Sequence, residues 1–122
     1  MVEAEIRDPD RIATLLRAEI EGLTSPPFDS LTLAKLGETE EPGDPAFFVR
    51  DGEETVFEAT MQEDRLVLEF KRRPEGVLEA AEAAGLPARP KATHPPGTVV
   101  FVERATAVKR VIDVLRATHR SQ

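Results

Sequence analysis

Apolar residues recur at three- and four-residue steps near the start of the chain, which predicts an amphipathic helix. Asp8 is of a residue type favoured at the N-cap, Pro9 suits the first helical position, and Gly22 lies near the expected C-cap. The periodic apolar residues are Ile12, Leu15, Leu16, Ile20 and Leu23. Such a face requires a second layer of structure to pack against.

Short runs rich in Phe, Val, Leu and Thr follow, and they predict that second layer as a sheet. The runs span residues 31–36, 46–50, 53–61 and 65–71. Asp51-Gly52 predicts a type I′ hairpin turn, because Gly adopts the required positive φ at little cost. Glu63-Asp64 marks a weaker turn. Alternating apolar and polar residues in the last run indicate an antiparallel meander with one buried face.

The second half of the chain predicts two more helices and two more strands. Pro74 opens a helix that Gly85 closes, and residues 105–119 carry a helical apolar stripe. Residues 86–92 contain two prolines, so an extended conformation there would be confined to a sheet edge. Residues 98–103 are apolar in both alternating sets, which favours an interior strand covered on both faces.

These elements together predict one α+β domain over residues 1–122. The expected architecture has two layers, with a mainly antiparallel sheet of five or six strands and three helices. A chain of 122 residues is long enough to bury a single core.

Composition excludes several classes of function. Cysteine is absent, which removes disulfides, thiolate nucleophiles and cysteine-rich zinc sites. No apolar run approaches the roughly 18 residues of a membrane span, and the N-terminal residues lack the pattern of a signal peptide, so a cytoplasmic location without membrane contact is expected. Trp and Tyr are absent, and no sequence motif implies a cofactor.

Charge is distributed unevenly along the chain. The net charge is −7, with 15 acids and 5 bases in residues 1–61 (−10) and 8 acids and 11 bases in residues 62–122 (+3). The acidic excess fits either a salt-adapted protein or an ordinary cytoplasmic protein that stays soluble through its charge. The second half of the chain is net basic, so a surface formed by its residues could bind nucleic acid.

One acidic residue interrupts the apolar stripe of the first helix. At 100° per residue, Glu19 falls between the directions of Ile12 and Leu23, where an unpaired carboxylate would be costly to bury. The structural interpretation is an ion pair or a position at the helix end. The functional interpretation is a carboxylate in a cleft or at a subunit interface.

The segment from Arg89 to Pro96 contains the candidate ligand-binding residues Arg89, Lys91, Thr93 and His94. In an extended segment Arg89 and Lys91 project to the same side and Thr93 follows, so two cations and a hydroxyl could hold a small anion. The alternative is a stiff, solvated connection whose charges protect a sheet edge.

A basic surface is the other candidate site. Its residues are Arg72, Arg73, Lys109, Arg116 and Arg120, to which Lys71 could be added. Nucleic-acid binding is conceivable there, but no Tyr or Trp is available for base stacking and no nucleic-acid motif is present. The only histidines are His94 and His119, and neither belongs to a metal-binding spacing; His119 in the last helical turn is favoured by the helix dipole.

Four stretches resemble a family of small uncharacterised proteins from halophilic archaea. They are residues 6–12, 89–96, 99–103 and 107–110. The resemblance implies no assigned activity and no catalytic residues. It does imply concentrated intracellular salt, where charge-driven binding of phosphate weakens and apolar association becomes relatively more important.

The sequence therefore favours a binding or assembly module that forms a homodimer, because the strand within residues 98–103 requires cover on both faces. No catalytic constellation is evident. The alternative is an anion or nucleic-acid binder that uses Arg89, Lys91 and the basic last helix. A third hypothesis is a small enzyme built around Glu19 or His94.

Overall fold

A computed structural model describes residues 8–23, 28, 31–35, 45–93 and 96–119 of the chain. The elements in these residues confirm the α+β prediction. They are α1 (Pro9–Glu21), β1 (Leu31–Lys35), β2 (Pro45–Asp51), β3 (Glu54–Met61), β4 (Leu66–Phe70), α2 (Pro74–Ala83), β5 (Ala88–Lys91), β6 (Gly97–Val102) and α3 (Val108–His119), with a 3₁₀ turn at Ala105–Ala107.

The six strands form one antiparallel sheet in the order β1-β2-β3-β4-β6-β5. The β2–β3 hairpin turns at Gly52 and Glu53, and the φ of Gly52, 66°, confirms a hairpin at this position. The predicted type I′ turn with Asp51 and Gly52 at its centre is wrong, because Asp51 pairs with Glu54 in the ladder and only Gly52 of these residues has a positive φ. Strand β5 lies at the edge, as its prolines predict, and β6 lies in the interior between β4 and β5.

The helix starts follow local signals in the sequence. The Asp8 side chain accepts a hydrogen bond from the amide of Asp10 and caps α1, as predicted. Pro74 is the first residue of α2, and Gly85 with φ 79° follows the end of that helix. Arg73, at the N-cap of α2, has φ 52° and is a non-glycine residue in the left-handed region.

All three helices pack on one face of the sheet. Residues at alternate positions of the strands join buried residues of α1, α2 and α3 in a single apolar core. The Phe57 ring lies at its centre, with its centroid 4.9 Å from that of Phe70 and 6.1 Å from that of Phe47. None of the described helices is long and apolar enough to cross a membrane.

The two faces of β6 are covered by different groups. Val100 and Val102 are fully buried beneath the helices. Val99 and Phe101 point to the opposite face, which the described helices do not cover, and Val99 is only half-buried. Phe101 is nevertheless only 8% exposed, because arginine side chains cover it.

Candidate interaction face of the sheet

The side of the sheet opposite the helices is called here the helix-free face. Strand register places six of its residues in one line across all six strands. This central row reads Ala34, Phe48, Glu58, Glu69, Val99 and Arg89. Side chains alternate between the two faces of a strand, so the residues before and after each of these in the sequence point to the helix-covered face. Phe48, Glu58, Glu69 and Val99 are partly exposed and Arg89 is exposed.

Next to the central row, Phe101 lies between two arginines from neighbouring strands. The guanidinium carbon of Arg65 lies 4.1 Å from the ring centre and that of Arg89 lies 5.5 Å from it. Both distances are within the range of a cation–π contact. Arg65 also forms an ion pair with Glu103 at 3.5 Å. The stems of Arg65 and Arg89 thus cover the Phe101 ring on the face that the described helices do not cover.

Glu69 is the electrostatic centre of the helix-free face. Its carboxylate pairs with Lys91 at 3.0 Å and with Lys71 at 3.2 Å, and its side chain is 20% exposed. Partial burial acts to raise the pKa of Glu69, but hydrogen bonds and charge from Lys91 and Lys71 outweigh it and hold that pKa below the ordinary value of 4.5. The carboxylate therefore remains charged at neutral pH.

Glu58 lies directly opposite Glu69 on the neighbouring strand. Like charges in this position repel each other, and Glu69 has its two lysines to offset the repulsion. Glu58 has no cation within 4.0 Å among the residues described. Sequence reasoning missed this residue, since its lack of a partner depends on which strands are neighbours.

The predicted ligand-binding residues fall partly on this face. Arg89 and Lys91 do project to the same side of β5, but Lys91 is engaged by Glu69 and Arg89 stacks on Phe101. The amide of Thr93 donates to the carbonyl of Lys91 at 3.0 Å. His94 lies outside the described residues. Anion binding by this group stays a prediction.

The residues predicted to form a basic surface occur on separate elements, and several have acidic partners. Arg72 lies beside the β2–β3 hairpin and contacts Asp51 at 3.2 Å and Glu54 at 3.0 Å. Arg73 is the N-cap of α2. Arg120 lies outside the described residues, as does the side chain of His119.

Helix α3 carries the other two basic residues of that group. Arg116 pairs with Asp113 at 3.6 Å and lies over the Phe28 ring at 5.6 Å. Lys109 reaches Glu19 of α1, with 3.9 Å between the ammonium nitrogen and the carboxylate. Glu19 is thus 40% exposed and has a lysine partner, and it also lines a hollow of about 300 Å³. The structural and the functional interpretation of this carboxylate both stay predictions.

A separate hollow of about 260 Å³ lies where the end of α2 approaches the 3₁₀ turn and the first turn of α3. Glu103, Arg104, Thr106 and Arg110 contribute its polar lining, and Gly85, Leu86 and Ala107 are among its other residues. Sequence reasoning did not single it out, because nothing local marks Arg104 and Arg110 as neighbours. Across the described residues, no group of three His, Asp or Glu side chains could hold a metal ion.

Three helices on one face of a six-stranded antiparallel sheet define an open-faced α+β protein. The chain belongs to a family of unknown function, DUF7993, whose model matches residues 1–122. Neither the curated proteins nor the solved structures contain a significant match to the chain. A function must therefore be argued from the helix-free face and the hollow themselves.

Proposed function

We propose that the protein is an assembly module that forms a symmetric homodimer through its helix-free face. The observation that carries this proposal is the order of charges in the central row. Across four adjacent strands it reads Glu58, Glu69, Val99 and Arg89. The acid at one end has no cation partner among the described residues, and the base at the other end is exposed.

A two-fold axis makes this order self-complementary. Suppose that two copies bring their helix-free faces together, and that the axis lies between the two sheets, parallel to the strands and midway between β4 and β6. Then β3 of one copy lies over β5 of the other. Glu58 then faces Arg89 of the partner subunit, and symmetry forms the same pair a second time. The same rotation places Glu69 over Val99 of the partner subunit.

Apolar residues beside the axis provide the remaining contact. Val67 of β4 pairs in register with Phe101 of β6. The rotation therefore places Val67 of one copy over Phe101 of the partner subunit, and the symmetry forms the same contact a second time. Half-buried Val67 and Val99 would be removed from water in the dimer. Arginine and aromatic residues are enriched in protein interfaces, and this face holds Phe48, Phe101, Arg65 and Arg89.

The size of the face fits a reversible dimer. With the axis between β4 and β6, only β3, β4, β6 and β5 of the two copies overlap. Four strands spaced about 4.8 Å apart, each contributing about five residues at 3.3 Å, give a footprint of roughly 14 by 17 Å. Such a contact lies at the lower end of specific interfaces, so we expect dissociation in a micromolar rather than a nanomolar range.

The alternative functions receive less support. Lys91 and Lys71 share the carboxylate of Glu69, which reduces the positive charge available to a nucleic acid. For an enzyme, Glu19 lines a second hollow of about 300 Å³ with Thr106 and Lys109, but the contact between its carboxylate and the lysine is long, at 3.9 Å, and largely exposed.

We also infer a cytoplasmic protein from a halophilic archaeon, on the basis of the sequence resemblance and the net charge of −7. At molar salt the Debye length is about 3 Å, so exposed charges act only at contact. A face that combines apolar residues with charges placed for direct pairing suits association under those conditions.

A charge exchange tests the dimer. Glu58→Arg and Arg89→Glu should each shift sedimentation equilibrium toward monomer, because each places like charges opposite each other. The double variant restores both pairs with reversed sign and should recover dimerisation. The matched control is Glu79→Arg with Arg11→Glu, which makes the same changes at exposed positions on α2 and α1.

A wild-type protein that stays monomeric at all concentrations would refute the dimer. So would a folded double variant that dimerises no better than the single variants. If the monomer instead binds a labelled oligonucleotide at about 0.1 M KCl and loses it at 1 M, the nucleic-acid alternative would replace the dimer.

A further inference from the structure

The hollow beside Gly85 has the composition of a binding site for a small anion. It is bounded by the end of α2, by the 3₁₀ turn Ala105–Ala107 and by Arg110 in the first turn of α3. Its volume is about 260 Å³. Small-molecule sites usually begin at about 300 Å³, so a ligand of only a few heavy atoms would fit.

Two arginines without acidic partners line this hollow. Neither Arg104 nor Arg110 has a carboxylate within 4.0 Å in the described part of the chain, in contrast to Arg65, Arg72 and Arg116. Glu103, the acid in the lining, forms its ion pair with Arg65. Two guanidinium groups are therefore left with their charge directed to solvent or to a ligand.

The backbone at Gly85 makes room for one of them. A Cβ atom at Gly85 would lie 3.2 Å from Nη1 of Arg110, and the φ of Gly85 is 79°. Glycine thus allows both the turn and the approach of the guanidinium. Thr106 adds a hydroxyl that can donate to an oxyanion, and Leu86 and Ala107 add apolar lining.

We propose that this hollow binds a small phosphate monoester. A phosphate monoester carries a charge of about −1.5 to −2 at neutral pH, which two arginines match. Guanidinium groups bind phosphate through paired hydrogen bonds, and the hydroxyl of Thr106 can serve a further oxygen. The apolar lining accommodates the organic part of the ester. Neither Arg104 nor Arg110 takes part in the proposed dimer contact, so the two proposals stand separately.

Calorimetric titration with phenyl phosphate, inorganic phosphate and benzoate tests the site, at about 0.1 M salt so that screening does not hide the charges. Phenyl phosphate should bind saturably and more tightly than the other two. Arg104→Gln with Arg110→Gln should weaken it by about tenfold or more. Arg11→Gln with Arg17→Gln, which removes the same two charges from α1, should leave the affinity within about twofold.

Four results would overturn the proposal. They are no saturable binding of phenyl phosphate to the wild-type protein, equal weakening in the two double variants, equal affinity for inorganic phosphate, or tighter binding of benzoate. Circular dichroism of each variant shows whether it is folded, and chemical-shift changes confined to residues around Gly85 and Thr106 in the wild-type protein would locate the ligand without any substitution.

Discussion

The guanidinium carbon of Arg65 lies 4.1 Å from the centre of the Phe101 ring, on a face of the sheet that the described helices do not reach. This contact, together with that of Arg89, leaves the phenylalanine only 8% exposed. A strand whose side chains are apolar in both directions is thus covered by helices on one side and by arginine stems on the other.

Replacing Arg65 with alanine tests how much this cover contributes. We expect Arg65→Ala to lower the free energy of unfolding by about 1 kcal/mol, because it removes a cation–π contact and exposes the ring. Glu103→Gln is the control, since it breaks the ion pair of Arg65 and leaves the stacking; it should cost less than about 0.5 kcal/mol. Urea denaturation of both variants measures the difference, and equal losses would contradict the role given to the ring contact.

Elements with local signals could be predicted from the sequence. Asp8 caps α1, Gly52 lies in the β2–β3 turn, and Pro90 confines β5 to the sheet edge. Each depends on residues close together in the chain, where backbone preferences decide the outcome.

The central row could not be predicted, because it depends on strand order and register. Glu58 and Arg89 fall in one line only because β6 inserts between β4 and β5. The hollow has the same origin: Arg104 and Arg110 become neighbours of Gly85 through the packing of α2 against α3. Periodicity predicted cover on both faces of β6, but it could not show that arginine side chains provide the cover of Phe101.

Acid should destabilise the protein partly through Glu69. Its folded pKa is lowered by Lys91 and Lys71, so its contribution to stability is present above the unfolded pKa of about 4.3 and is lost as pH falls through the folded pKa. Glu69→Gln should therefore be less stable than the wild-type protein at pH 7. The difference should shrink as the pH is lowered below about 4.

Urea denaturation of both proteins between pH 7 and about pH 3 measures this difference. Glu58→Gln is the control, because Glu58 has no cation partner in the described residues and repels Glu69; it should be as stable as the wild-type protein at pH 7, or more stable. A Glu69→Gln deficit that stays constant or grows in acid would refute the assignment.

Thr98 joins the start of α2 to the sheet through a hydrogen bond. Its side chain is 1% exposed and its hydroxyl donates to the carbonyl of Pro74. Thr98→Val should lower the free energy of unfolding by about 1 kcal/mol, because it removes a hydrogen bond that links β6 to α2.

Thr118→Val is the matched control for that hydrogen bond. The hydroxyl of Thr118 donates to the carbonyl of Val114 at 2.8 Å, within the same helix. It links no second element of the fold, so Thr118→Val should cost clearly less than Thr98→Val in thermal and urea unfolding. Similar losses would mean that burial of the hydroxyl, and not the link to Pro74, decides the stability.

Among the described glycines, Gly97 at the start of β6 leaves the least room for a side chain. A Cβ atom there would lie 2.8 Å from the backbone oxygen of Phe70, on a neighbouring interior strand that cannot move freely. Gly97→Ala should therefore destabilise the protein by about 1–3 kcal/mol, the usual cost of overpacking.

Gly76→Ala provides the comparison, because a Cβ atom at that exposed helical position meets nothing closer than 3.9 Å. Alanine there should be neutral or stabilise α2 by up to about 1 kcal/mol. Urea denaturation of the two variants should thus give shifts of opposite sign, or a loss in Gly97→Ala alone; a tolerated alanine at Gly97 would show that β4 and β6 can separate without cost.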